Sequence, residues 1–154
     1  MPGEVEKSLE ALGFRLPEVG KPLGNYVQSV RTGNLLFISG KLPKENGRLK
    51  YPGKIGREVT VEQGKEAARL AALSVLATAK QAIEDLDRIK RVVQIVGHVA
   101  VAPGFLDAFE VIEGASEVFV KIYGERGKHT RLSLGVSELP LNACLELQAI
   151  VEVE

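Results

Sequence analysis

The segment 145–153 alternates strictly. Leu145, Leu147, Ala149, Val151 and Val153 stand on one side of an extended chain, and Glu146, Gln148, Ile150 and Glu152 on the other. Successive side chains of a strand point to opposite faces, so a period of two marks a strand buried on one side. A sheet with one covered face needs a cover, and two helical stretches supply it. Thr60-Val61-Glu62-Gln63 fits a capping box. The helix it opens is expected to reach about Leu86, with Ala67, Leu70, Ala71, Val75, Ala79, Ala82 and Ile83 inward. Its many alanines let it lie close on a sheet. A second helix is expected over 105–123, with Phe105, Phe109, Ile112, Phe119 and Tyr123 near one face and Gly114 able to divide it.

The other strands are read from β-rich runs between turn residues. A hairpin is expected from Tyr26–Arg31 and Leu35–Ser39 around Thr32-Gly33-Asn34. Its second run is nearly all apolar, which predicts cover on both faces. Residues 41–58, rich in Gly, Pro, Lys and Asn, read as a long loop with a short strand near 49–51. Loops of that length commonly serve as lids or interface elements. Long strands are expected over 89–102, 131–136 and 144–153, and a short helix over 4–12 ended by Gly13. The order β-β-α-β-α-β-β, behind a short N-terminal helix, defines an α+β sandwich: two long helices on one mixed β-sheet. Residues 1–154 read as one domain, with 1–23 an N-terminal extension. The uncovered face of that sheet would be apolar in a lone chain, so self-association into a closed ring is expected.

Charge and composition narrow the function classes. Twenty Lys and Arg balance twenty Asp and Glu, giving a formal net charge of zero. A general grip on nucleic-acid phosphate leaves a basic excess, which is absent. One cysteine, Cys144, makes no internal disulfide, and it reads as a small buried hydrophobe. The stretch 1–4 is acidic and polar, so no signal peptide is expected. The longest near-apolar run, 67–79, is interrupted by Arg69, Ser74 and Thr78, so no membrane span is expected and the localisation expected is cytoplasmic. The common nucleotide, serine-hydrolase, zinc-protease and Cys-x-x-Cys signatures are missing. Gly53-Lys54-Ile55-Gly56 matches the G-x-x-G of an RNA-binding KH loop, but its loop-like flank favours a turn. His98, in an apolar strand, reads as a core or hydrogen-bonded residue. His129, beside Arg131, reads as solvated or as a neighbour of a site. Neither has companions at ligand spacing, so no metal is expected. Asp85 and Asp87 read as helix-end loop residues.

The most informative stretch is C-terminal. Arg131-Leu132-Ser133-Leu134-Gly135-Val136-Ser137-Glu138-Leu139-Pro140 is followed by Ala143-Cys144-Leu145-Glu146-Leu147-Gln148-Ala149. An Arg opens a strand, a Leu-Pro turn follows, and a carboxylate stands on the polar side of the next strand. This resembles the C-terminal signature of the Rid, or YjgF-like, family of reactive intermediate deaminases, also called L-PSP endoribonucleases or translation inhibitors. Gly24-Asn25-Tyr26-Val27-Gln28-Ser29-Val30, Gly33-Asn34 and Ser39-Gly40 with Pro43 resemble the family's upstream pattern.

The resemblance implies a chorismate-mutase-like fold and a homotrimer with clefts between subunits. It also implies cofactor-independent hydrolysis of 2-imino and 2-enamino acids, released by pyridoxal-phosphate enzymes, to 2-oxo acids and ammonia. It places the family's essential Arg on Arg131, its Tyr on Tyr26, its Ser-Gly pair on Ser39 and Gly40, and its Glu on Glu146. The chemistry agrees, because a guanidinium binds a planar carboxylate bidentately and a carboxylate such as Glu146 orients or deprotonates a water.

The chain departs from the pattern in three ways. The deaminase branch's helix Asn and aromatic residue correspond to Glu113 and Ser116. Thr130 precedes the Arg where Pro-Ala is common. The chain is longer, as in a divergent subgroup. A Glu113 that faces the cleft would repel a carboxylate. Non-catalytic binding of small carboxylate metabolites, and a ribonuclease or translation-inhibitor activity, are the alternatives. The plainest structural role for Arg131 and Glu146 is an ion pair across adjacent strands.

Overall fold

The computed structural model describes residues 2–154. Helix α1 (Glu4–Ala11) opens on Gly3, which brings no capping side chain. Asp87 does the capping instead, accepting from the backbone N–H groups of Glu4 at 2.9 Å and Val5 at 2.8 Å. Those donors lack partners within the helix, so a distant carboxylate serves as the N-cap. Asp85 accepts from the Asp87 N–H at 2.9 Å and opens a 3-10 turn at Leu86–Arg88. Both aspartates therefore do more than close a loop.

Strands β1 (Ser29–Thr32) and β2 (Leu35–Lys41) form the hairpin. The hairpin's first strand starts later than its sequence suggests. Tyr26 donates its N–H to Gly24 at 2.9 Å, and its hydroxyl accepts from the Leu23 N–H at 3.2 Å, so local turn bonds replace the ladder there. A bulge interrupts the pairing of β2 between Ile38 and Lys41. Residues 41–58 are pinned rather than loose. They contain a small hairpin, β3 (Lys44–Glu45) with β4 (Arg48–Leu49), and the fully buried Ile55. Ile55 donates to the Ala100 carbonyl at 2.8 Å and accepts from the Ala102 N–H at 2.9 Å. Residues 53–56 are the turn that leads through it.

Helix α2 (Val61–Ile83) begins with the expected capping box, Thr60 and Gln63 each satisfying the other's backbone N–H. Strand β5 (Ile89–Ala100) follows, then helix α3 (Ala108–Tyr123). The second helix begins three residues later than expected because the Pro103-Gly104 turn extends to Asp107. Phe109, 51% exposed, is not in the core; Val111, Ile112, Ala115, Val118 and Phe119 are. Gly114 does not divide α3. A Cβ there would intrude on the Lys65 carbonyl of α2, so the glycine lets the two helix backbones touch.

Strands β6 (Thr130–Val136) and β7 (Leu145–Val153) complete a mixed five-stranded sheet in the order β1-β2-β7-β5-β6. Only β5 and β6 are parallel. The alternation of β7 is as its sequence dictates, its five apolar side chains buried under the helices. This is the expected α+β sandwich. Within one chain β2 is covered on one face alone: Phe37 is 42% exposed, joined on the open face by Val30, Leu132 and Leu134. Among the described residues no helix is long and apolar enough to cross a membrane.

Candidate functional site

Arg131 stands on the edge strand β6, opposite the core residue Ile95 of β5, so its side chain rises on the helix side of the sheet. Helix α3 passes above it. Phe109, Glu113 and Ser116 are spaced by four and three, which sets them on one stripe facing β6. The Arg131 guanidinium donates from Nη1 to Glu113 Oε2 at 2.7 Å and to Ser116 Oγ at 3.0 Å, and from Nη2 to the Phe109 carbonyl at 3.4 Å. Among the described residues Nε has no hydrogen-bond partner. The side chains of Arg131 and Glu113 are 24% and 49% exposed, so the pair sits at an open margin. Glu113 does not point away from the arginine; it neutralises it.

The network continues inward with a fixed sense. His129 Nδ1 lies 2.6 Å from the Gly127 carbonyl, which only accepts, so Nδ1 carries the hydrogen. A neutral imidazole then offers a lone pair at Nε2, 2.8 Å from Ser116 Oγ. Ser116 donates to His129 and accepts from Arg131. The ring of His129 stands edge-on to Phe119, centroids 5.9 Å apart, which fixes its plane. His129 is thus a site neighbour rather than a solvated residue. Two positions along β6, on the same face as Arg131, Ser133 Oγ is buried without a hydrogen-bond partner among the described residues. Sequence inspection had not singled out Ser133; its signal was the two-residue spacing from Arg131.

A second group of expected residues lies elsewhere. Glu146 is opposite His98 on the face of the sheet away from the helices. Its carboxylate leans over Gly40, where a Cβ would come within 2.5 Å of Oε2. The bulge at Ser39–Gly40 creates that niche, as bulges commonly do where a side chain must be re-aimed. Ser39 Oγ donates to the Val27 carbonyl at 2.7 Å, and Tyr26 is half exposed in the loop before β1. His98 is half buried on this open face and its side chain makes no hydrogen bond among the described residues, so it is neither a core nor a tethered histidine.

One chain does not join these two groups. Arg131, Glu113, Ser116 and His129 lie on the helix side at the β6 edge, and Glu146 and Gly40 lie on the open side at β7 and β2. Strands β7 and β5 separate β2 from β6, about 14 Å at the usual spacing of neighbouring strands. Arg131 and Glu146 are not an ion pair across adjacent strands, because β5 intervenes and they face opposite ways. Among the described residues no three His, Cys, Asp or Glu side chains converge to hold a metal.

This sandwich is the architecture of the YjgF/chorismate mutase-like family. The family described as "YjgF/chorismate_mutase-like, putative endoribonuclease" matches residues 6–152, and the chain belongs to it. Protein TCP17 of Trypanosoma cruzi is 40% identical over 152 residues, covering 98% of this chain and 95% of its own. The structure of Agrobacterium tumefaciens Atu1372 is 41% identical with a TM-score of 0.92, covering 98% of this chain and 93% of its own. A "putative endoribonuclease" from Shewanella oneidensis is 36% identical with a TM-score of 0.94, covering 97% and 99%. Coverage that nearly complete takes in α1. The YjgF product of E. coli, 22% identical with a TM-score of 0.63, shares the fold.

Proposed function

We propose that this protein hydrolyses reactive 2-imino and 2-enamino acids to 2-oxo acids and ammonia, in clefts between the subunits of a homotrimer. The observation that carries this reading is the Arg131 guanidinium. It is clamped by α3 through Nη1, and the Nε and Nη2 side that would grip a planar carboxylate bidentately carries only one long contact. The separation of Arg131 from Glu146 supports a composite site, because a second copy is needed to bring the two functions together. The exposed Val30, Phe37, Leu132 and Leu134 give that copy an apolar face to cover.

Arg131 holds the carboxylate, and the imine carbon is thereby presented to a water. The water oxygen bonds to that carbon, the C=N π pair moves to nitrogen, and the partner subunit's Glu146 takes the water's proton. With the imine protonated, the partner's Glu146 returns that proton to the carbinolamine nitrogen. Ammonia leaves with the C–N electron pair as the hydroxyl gives its own proton to the partner's Glu146 and its C–O bond becomes the carbonyl. A 2-enamino acid enters after protonation at its third carbon. Every step is redox-neutral. Ser133, an unpaired buried hydroxyl beside Arg131, donates to the bound carboxylate. Tyr26 and Ser39 enclose the cleft from the neighbouring copy.

The Arg131–Glu113 pair favours one alternative, a binder that holds carboxylate metabolites without turnover. Ammonia release from a freshly generated 2-aminoacrylate separates the two. Arg131→Ala is expected to lower the rate at least about a hundredfold, in line with losing a charged positioning group. A wild-type rate no faster than that of Arg131→Ala overturns the hydrolase reading, and saturable binding of a 2-oxo acid without turnover would establish the binder. A ribonuclease has the weaker chemistry, with zero net charge to meet a polyanion.

A further inference from the structure

We infer that Glu113 makes this site selective for zwitterions, so that its substrate is the protonated iminium form of a 2-imino acid rather than a plain carboxylate. The inference rests on the reading of Arg131 as the carboxylate clamp. Glu113 Oε2 lies 2.7 Å from Arg131 Nη1, and Arg131 Nε keeps no partner among the described residues. One Glu113 oxygen is therefore committed, and among the described residues Oε1 has no hydrogen-bond partner. The two side chains present, side by side, an open donor edge and an open acceptor.

A simple anion meets that arrangement badly. Its carboxylate would enter beside the Glu113 carboxylate, and the guanidinium's charge is already shared. A 2-iminium acid meets it well, because its N–H donors and its carboxylate are on adjacent carbons. The carboxylate takes the Nε and Nη2 side while the iminium nitrogen donates to Glu113. The other groups facing this place do not compete for that nitrogen. Ser116 donates to His129 and accepts from Arg131, and the Phe109 carbonyl is turned to Nη2. Glu113 touches the reacting nitrogen and stabilises its protonated state, which is the form whose carbon water attacks. Each iminium that forms there carries its proton in, and the ammonia that leaves takes it out, so Glu113 ends unchanged.

Glu113 is half exposed and Gln has the same shape, so Glu113→Gln is expected to fold normally. The probes are L-alanine, a zwitterion, and pyruvate, the matching anion without the ammonium, titrated calorimetrically. Wild type is expected to bind alanine about tenfold more tightly than pyruvate, the size of one charge-assisted hydrogen bond. Glu113→Gln is expected to reverse that order by weakening alanine and strengthening pyruvate. Turnover of a 2-aminoacrylate imine should show a raised KM in Glu113→Gln. An affinity ratio that is the same in wild type and Glu113→Gln overturns the inference, yet leaves Arg131-dependent ammonia release standing. Selectivity through Glu113 without ammonia release would do the reverse. Failure of both probes to bind in an Arg131-dependent way removes both.

Discussion

Placing a charge on the open sheet face tests the composite site without touching any residue in it. Phe37 and Leu132 both stand on that face, 42% and 49% exposed, in different rows of the sheet. A Phe side chain buries roughly 200 Å² when fully covered, so the exposed share of Phe37 is about 80 Å², and Leu132 offers a similar area. At about 25 cal/mol per Å², sealing each against another copy contributes about 2 kcal/mol. Phe37→Glu with Leu132→Glu removes about 4 kcal/mol and adds an unpaired carboxylate to desolvate at each position. Association should weaken at least a thousandfold, at 1.4 kcal/mol per tenfold. The lone chain should be unharmed, because exposed substitutions change stability by only about 0.5 kcal/mol. Sedimentation velocity should show wild type at three times the 16.6 kDa chain and the double variant at one, with unchanged far-UV circular dichroism. The monomer should release no ammonia although Arg131 and Glu146 are intact. A monomeric wild type that turns over substrate, or a double variant that keeps the wild-type mass, refutes the reasoning.

Three further outcomes follow from the packing. Gly114→Ala forces α2 and α3 apart at the Lys65 carbonyl and should cost about 3 kcal/mol, lowering Tm by roughly 6–12 °C in calorimetry. Gly40→Ala meets only the mobile end of Glu146, so it should displace that carboxylate and cut kcat about tenfold or more while leaving Tm within about 2 °C. Lys41 is buried against Gln28, and desolvation lowers its amine from 10.5 to about 8. The folded state therefore binds fewer protons than the unfolded one between those values, and its stability should rise with pH across that window. Urea midpoints should show wild type gaining on Lys41→Met from pH 8 to pH 10; parallel profiles would remove the assignment.

Much of the fold was legible because its signals are local. The period of two in β7 and the Thr60–Gln63 box involve residues within a turn or a strand of one another, so the chain writes them out in order. The misreadings arose where distant groups decided the outcome. Asp87 resembles a loop residue until α1 arrives to be capped by it. Gly114 resembles a helix breaker until the backbone of α2 is laid across it. Ile55 sits among Gly, Pro and Lys, and its backbone bonds to Ala100 and Ala102 made it core.

The candidate site divides in the same way. The sequence determined its ingredients: an arginine opening a strand, a carboxylate on the polar side of another, and a helix carrying Glu113 and Ser116 at a spacing that shares one stripe. Side-chain direction within one element follows from its period, which is covalent and local. Only the tertiary structure decided that β5 lies between β6 and β7. That strand order sets Arg131 and Glu146 in two groups on opposite faces instead of an apparent cross-strand ion pair, and places Glu113 rather than Glu146 against Arg131. Strand order depends on which apolar faces bury best together across the whole chain, and no short window of residues contains that sum.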